Sequence, residues 1–117
     1  MTNETPQELR VGDGGRRLTV VVAPDRRFEL DAEYLRVESP SAEVKGHAPG
    51  EAKLVTGKRN VRMERLEPVG SYAVRIVFDD GHSTGIYTWS YLQKLADDHD
   101  VLWPLYVATL AERGLSR

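Results

Sequence analysis

Apolar and polar residues alternate in short runs along the first third of the chain. One run covers 9–11, a β-branched run covers 18–22, and a short third run covers 27–30. A glycine-rich segment at 12–15 and a turn at Pro24 separate the three runs. This pattern predicts three antiparallel strands arranged as a meander.

A short helix is predicted after the meander. Asp31 precedes it and can cap it by accepting the free N–H groups of the first turn, and Ser39-Pro40-Ser41 ends it. Glycine and proline then recur over 40–60, where large apolar side chains are few. No regular element is therefore predicted at 40–60, and a loop of this length in a compact domain is often functional.

Alternation resumes at Val61, and Leu66 breaks its period, which predicts a β-bulge. Apolar residues then occupy every second position of 72–78, which predicts a strand with one buried face. A tight turn at 79–82 and a returning strand at 84–87 complete a predicted hairpin.

Two helices are predicted in the last third of the chain. Thr88 or Ser90 can cap the first helix, and Asp100 can cap the second, in whose first turn Pro104 is tolerated. One face of the second helix carries apolar residues at a spacing of four, namely Leu102, Tyr106 and Leu110.

Together these elements predict an α+β fold: an antiparallel β-sheet of hairpins and a meander, with a short helix and two C-terminal helices. The 117 residues are enough for one domain, predicted at 7–117 after a disordered leader at 1–6, with the helices as a C-terminal extension. The longest apolar run, at 20–23, is too short to span a bilayer, and the N-terminus lacks an apolar signal segment. We therefore expect a cytoplasmic protein with no membrane partner.

Charge and cysteine content exclude several kinds of site. The net charge of −2 provides no global field for nucleic acid, so a nucleic-acid partner is not expected. The absence of cysteine excludes disulfides, thiolate metal sites and a cysteine nucleophile. No serine lies in a G-x-S-x-G context, and no phosphate-binding glycine motif occurs. We expect a non-catalytic binding domain for a protein partner, rather than an enzyme.

The densest cluster of chemical groups is the predicted turn at 79–82. Its carboxylates and imidazole could bind a divalent metal, perform acid–base chemistry, or form an ordinary solvated turn. A metal-binding module would take iron or zinc and would use His82 and Asp80 as ligands. His47, in the 40–60 loop, could provide a further ligand.

Aromatic residues beside this turn suggest a second use for it, as a protein-binding surface. Exposed Tyr and Trp side chains are typical anchors of protein interfaces. The predicted partner-binding residues are Asp79, Asp80, His82, Tyr87 and Trp89.

Two segments resemble the signatures of a known bacterial family. Residues 35–47 (LRVESPSAEVKGH) resemble one signature, and residues 69–89 (VGSYAVRIVFDDGHSTGIYTW) resemble the other. Both are similar to the gamma-butyrobetaine hydroxylase-like N-terminal domain, a domain of unknown function, and the similarity extends over roughly 7–97. The resemblance implies an α+β fold of antiparallel strands with packed helices.

The resemblance also implies a biochemical context. In the hydroxylases this domain precedes a catalytic domain that depends on iron and 2-oxoglutarate, and no segment of this sequence resembles that catalytic domain. Elsewhere the domain occurs alone or joined to P-loop carriers of iron–sulfur clusters. By analogy, this implies a role near iron–sulfur assembly.

The sequence departs from the family at a metal site. In the hydroxylases the domain binds structural zinc through three cysteines and one histidine, and the matching positions here are Ser39, Ser41, Val44 and His82. A tetrahedral zinc site of that kind needs thiolates, so it cannot form in this chain. The resemblance makes His82 either a remnant of that site or part of a weaker one.

Overall fold

A computed structural model describes residues 5–46 and 53–117. Within them the chain forms two three-stranded antiparallel sheets, two short helices and two C-terminal helices, which confirms the predicted α+β class. His47 lies outside the described residues, as do residues 1–4 of the predicted leader and the segment 48–52 of the predicted loop.

The first sheet is the predicted meander. It consists of β1 (Glu8–Gly12), β2 (Arg17–Ala23) and β3 (Arg26–Asp31), in that order, with Leu18 opposite Leu30. A single 3-10 turn joins β1 to β2. Gly15 in this turn has a φ of 94°, and a Cβ there would lie 2.8 Å from the Met63 carbonyl oxygen. Glycine is therefore required where the first sheet approaches the second.

Two short helices follow, α1 (Ala32–Val37) and α2 (Ala42–Lys45). The prediction that the Asp31 side chain caps α1 is wrong, because Asp31 precedes the helix without making that bond. The prediction of no regular element after position 40 is also wrong. Ser41 Oγ accepts the Glu43 N–H at 3.2 Å, and this local bond is enough to start one turn of helix.

The second sheet contains β4 (Met63–Val69), β5 (Ala73–Phe78) and β6 (Ile86–Thr88). The predicted bulge is present, but between Met63 and Arg65 rather than at Leu66. The predicted turn at 79–82 is present, because the Phe78 N–H donates to the His82 carbonyl at 2.9 Å, and the returning strand is present as β6. The prediction is wrong about where that strand begins, which is Ile86 and not Thr84. β5 and β6 pair only between Ala73 and Arg75 on one strand and 86–88 on the other. Residues 79–85, which we call the excursion, connect β5 to β6. They contact α1 through Asp80 and α2 through Thr84.

The last two helices are α3 (Trp89–Asp97) and α4 (His99–Glu112). Thr88 caps α3, since its hydroxyl accepts the Tyr91 N–H at 3.1 Å. The prediction that Asp100 caps the second helix is wrong, because α4 begins at His99 and Asp100 lies in its first turn. Pro104 consequently lies in the second turn of α4.

One main core joins both sheets, α1 and α3. Its fully buried side chains come from every one of these elements, including Leu18, Leu30, Tyr34, Ile76, Phe78 and Leu92. A smaller cluster fastens α4 to the end of α1, through Val37, Tyr106 and Leu110. Among the described residues, no helix has the length and apolar character needed to cross a membrane.

Candidate functional site

The excursion carries His82 into the protein, where α1 leads into α2. The residue is only 6% exposed. Its Nε2 lies 2.9 Å from Ser39 Oγ, and its Nδ1 lies 3.1 Å from Glu43 Oε2. A single imidazole therefore joins the excursion to the α1–α2 junction, through Ser39, and to α2, through Glu43.

The surroundings of His82 favour its neutral form. Burial lowers the pKa of His82, and the nearby Arg36 guanidinium lowers it further, against the opposite influence of Glu43 and Asp80. A neutral imidazole has one donor and one acceptor nitrogen. Nδ1–H therefore donates to the Glu43 carboxylate, while Nε2 accepts the Ser39 hydroxyl proton.

The sequence of groups Ser39–His82–Glu43 is the hydroxyl–imidazole–carboxylate order of serine nucleophiles. A nucleophile must also reach its substrate, and Ser39 is 0% exposed. Its oxygen accepts a further bond from the Ser41 N–H at 3.3 Å, and a Cβ on Gly85 would lie 2.5 Å from it. The arrangement is thus a closed hydrogen-bonded contact, which we call the His82 lock (Ser39, Glu43 and His82).

The positions that the family resemblance matched to zinc ligands do lie in this region. Ser39 contacts His82, Ser41 Oγ lies 2.6 Å from Thr84 Oγ1, and Val44 is buried. Hydrogen bonds and apolar packing hold this region together. Within 5–46 and 53–117, no group of three or more His, Asp or Glu side chains could hold a metal ion.

Asp80, the other described candidate ligand, is also bound internally. Its Oδ2 lies 2.8 Å from Arg36 Nε and 2.7 Å from Lys58 Nζ, and its Oδ1 accepts the His82 backbone N–H at 3.0 Å. Burial by itself would raise the pKa of Asp80, but the bonds from Lys58, His82 and Arg36 outweigh it and lower the pKa to about 2. Asp80 is therefore a charged anchor for the excursion.

The predicted partner-binding surface needs correction. Tyr87 is 0% exposed and donates its hydroxyl to the Leu35 carbonyl at 2.5 Å, so neither Tyr87 nor His82 is a surface anchor. Adjacent side chains of a strand point to opposite faces, and here it is Ile86 that faces outward. Trp89 is half-buried, and its indole N–H donates to the Ser71 carbonyl.

Asp79, another of the predicted partner-binding residues, lies at the protein surface. It is exposed, although its carboxylate accepts the Arg62 backbone N–H at 3.0 Å. The structure therefore brings Asp79, Asp80 and His82 together at one turn, but each of the three has a bonding partner inside the protein.

A surface that the sequence analysis missed lies on α4. Four exposed apolar residues on one side of this helix form what we call the outer α4 face: Val101, Pro104, Leu105 and Ala108. Val107 and Ala111 of the same helix are exposed as well. Val101 is 68% exposed and Leu105 is 60% exposed. Their spacing of three, four and seven residues places them on one stripe of the helix.

The opposite side of α4 is apolar as well. Tyr106 and Leu110 are buried against α1, so the helix has apolar residues on both sides. The sequence signal for the outer face was a second apolar set interleaved with Leu102, Tyr106 and Leu110. A helix that is apolar all round is normally buried on all sides.

A small polar cavity of about 170 Å³ is a third candidate. Four arginines and three carboxylates line it, and Arg117 already makes a two-point ion pair with the buried Glu33, at 3.0 and 2.7 Å. With opposite charges so nearly balanced, the cavity selects neither an anion nor a cation.

The comparisons with known proteins agree with the fold. The family model described as "Gamma-butyrobetaine hydroxylase-like, N-terminal" matches residues 9–93. A protein solved in solution by NMR is 44% identical, with a TM-score of 0.84 over 99% of this chain and 91% of that one. A crystal structure from Acidithiobacillus ferrooxidans ATCC 23270, of a protein with unknown function in the DUF971 family, is 40% identical. It has a TM-score of 0.65, over 79% of this chain and 92% of that one. No curated protein matches the chain.

Proposed function

Because this chain belongs to the family of gamma-butyrobetaine hydroxylase-like N-terminal domains, we propose that it acts as a non-catalytic accessory domain that binds a protein partner. The outer α4 face is the binding surface. The single observation that carries the proposal is the exposure of Val101 and Leu105 on a helix that is already anchored by its other side.

The energetic argument starts from those two side chains. Burying an exposed Leu or Val side chain contributes roughly 1.5–3 kcal/mol. Large contiguous apolar patches are uncommon on soluble monomers, and the largest patch of a monomer often marks an interaction site. Pro104 and Ala108 are small, so the backbone of a partner can approach α4 closely beside Val101 and Leu105.

The absence of catalysis is supported by what the chemical groups already do. His82 and Asp80 direct their polar atoms to Ser39, Glu43, Arg36 and Lys58. Within the described residues, the hydroxyl–imidazole–carboxylate contact excludes solvent from its hydroxyl. Binding therefore fits the geometry better than turnover.

The biological setting proposed for this binding is iron or iron–sulfur metabolism. This part of the proposal rests on the family resemblance alone, through the hydroxylases and the P-loop carriers of iron–sulfur clusters.

The alternative function, a metal-binding module for iron or zinc, is weakened by the bonding of its candidate ligands. Both His82 nitrogens and both Asp80 oxygens have partners, and His47 lies outside the described residues. We expect zinc or ferrous iron titrated to millimolar concentration to leave the His82 ring NMR signals unchanged. A shift that saturates near one metal per chain would favour the alternative.

Site-specific cross-linking tests the proposed function. Leu105 is replaced by the photo-reactive amino acid p-benzoylphenylalanine, and the matched control carries the same replacement at Arg27, an exposed position on β3. Irradiation in cells of the source organism should give one discrete protein adduct from position 105 and none from position 27.

The adduct must then be reproduced with purified proteins. Val101→Glu should weaken the reconstituted complex by about tenfold or more, since it places a charge in an apolar contact. Absence of an adduct from position 105, or identical adducts from both positions, would rule out the outer α4 face as the binding surface.

A further inference from the structure

The outer α4 face has an acidic residue at each end. Asp100 lies in the first turn of α4 and Glu112 is its last residue, and both are exposed. At about 1.5 Å per residue, the twelve steps between them span roughly 18 Å. Among the described residues, the only ion-pair partner near Asp100 is His99, at 3.5 Å. His99 forms that ion pair only when its ring is protonated.

Helical geometry places these two carboxylates on the border of the apolar stripe. Successive residues turn by about 100°, so Glu112 lies about 120° around the axis from Asp100. Val101, Pro104 and Ala108 fall within that interval, and Leu105 lies about 20° beyond it. The surface is therefore an apolar stripe with a negative charge at either end.

Apart from His99, no basic residue of α4 offsets these charges, since the helix contains neither Lys nor Arg. Arg113 follows the helix, and continued helical geometry directs it about 100° further round, away from the stripe. Arg117 is held by Glu33. At the other end, Asp97 precedes α4 and adds a negative charge near Asp100, while the charge of Asp98 is paired with Lys94 at 3.2 Å.

From this charge pattern we infer that the partner on the outer α4 face is an amphipathic helix. Its apolar stripe is bounded at both ends by Lys or Arg residues about 18 Å apart. This inference rests on the proposed function, because it names the chemistry of the partner on the same face. The apolar stripes supply affinity, and the charges at the two ends select the register and reject acidic helices.

Two other occupants are disfavoured by the same charges. A second copy of the chain, packed antiparallel, would bring Asp100 against Glu112, and parallel packing would bring each carboxylate against its own copy. Both arrangements join like charges. An anionic membrane surface would likewise repel Asp100 and Glu112.

Two probe peptides of equal length test the inference on the purified, full-length chain. Both carry the same leucine stripe at helical spacing. One has lysine pairs at the two ends of the stripe, and the other has glutamate pairs. We expect fluorescence anisotropy to show roughly tenfold tighter binding of the lysine-ended peptide at low salt, with the preference declining as salt rises.

A charge-reversed chain, Asp100→Lys with Glu112→Lys, provides the matched control. It should prefer the glutamate-ended peptide, which a general loss of folding could not produce. Equal affinity for the two peptides, an unchanged preference in the reversed chain, or no binding of either peptide would overturn the inference. Sedimentation of the unmodified chain as a dimer at micromolar concentration would overturn it in favour of a second copy.

Failure here is distinguishable from failure of the proposed function. If position 105 still gives its protein adduct while the lysine-ended peptide shows no advantage, the binding surface stands and only the basic character of the partner is wrong.

Discussion

The His82 lock contains the residue types of a reactive site, but they are bonded inside the protein. The outer α4 face contains no reactive group, but it is exposed. The lock and the Asp80 beside it contain an imidazole, two carboxylates and a hydroxyl, and nearly every polar atom there has a partner inside the protein. The outer α4 face holds only Val101, Pro104, Leu105 and Ala108, and it lacks cover among the described residues. In this molecule the better functional candidate is therefore the uncovered apolar surface, and not the region with the most reactive side chains.

The largest expected effect is a difference in stability between substitutions on the two sides of α4. Leu110→Ala should lower the free energy of unfolding by about 2–5 kcal/mol, because it opens a cavity beside Tyr106 and Val37. Leu105→Ala should change it by less than about 0.5 kcal/mol, because that side chain is mostly in water. Urea denaturation of both variants measures the contrast. Similar losses for the two would mean that the outer face is covered within the folded chain.

The next effect tests whether the lock is structural. His82→Ala should cost about 2–3 kcal/mol of stability, since it leaves the proton of the buried Ser39 hydroxyl without its acceptor and breaks the bond to Glu43. Thermal and urea unfolding provide the measurement. Thr84→Val, which removes a neighbouring hydroxyl from the surface side, is the milder control. A stable His82→Ala variant that has lost partner binding would make the imidazole functional instead.

The Asp80 ion pairs should contribute somewhat less to the free energy of unfolding than His82 does. Asp80→Asn should cost about 1–2 kcal/mol at neutral pH, because Arg36 and Lys58 lose their carboxylate. The pKa of Asp80 in the folded chain, about 2, lies below its ordinary value of 3.8, so its stabilisation is complete above pH 4 and is lost as the pH falls towards 2. Denaturation curves between pH 2 and pH 5 should therefore converge for the two proteins at the acid end.

The smallest expected effect is the pH response of the lock itself. Burial and Arg36 lower the pKa of His82 below its ordinary value of 6.5, so the folded state favours the neutral ring. Stability from this source is complete above about pH 6.5 and declines as the pH falls through the lowered pKa. Unfolding measured from pH 7.5 to pH 5 should show this decline in the unmodified chain and a weaker one in His82→Gln. Parallel curves would mean that folding does not change the pKa of His82.

The sequence determined the periodic parts of this protein. Alternation at 9–11, 18–22 and 72–78 located strands, and Thr88 was among the predicted caps of α3, because strand pairing, helical periodicity and capping depend on near neighbours. The family resemblance likewise located Ser39, Ser41 and His82 as one region, although they are far apart along the chain.

Only the tertiary structure decided which side chains are bonded or packed inside the protein and which are exposed to a partner. The pairing of β5 with β6 ends at Arg75 and Ile86, and the excursion at 79–85 carries His82 into the protein. Tyr87 is buried from within β6, where it lies opposite Val74. Likewise, α4 has apolar residues on two sides, and packing against α1 covers only one of them. Burial is a property of long-range packing, so the local pattern fixes what each side chain can do, while the fold fixes whether anything outside the protein can reach it.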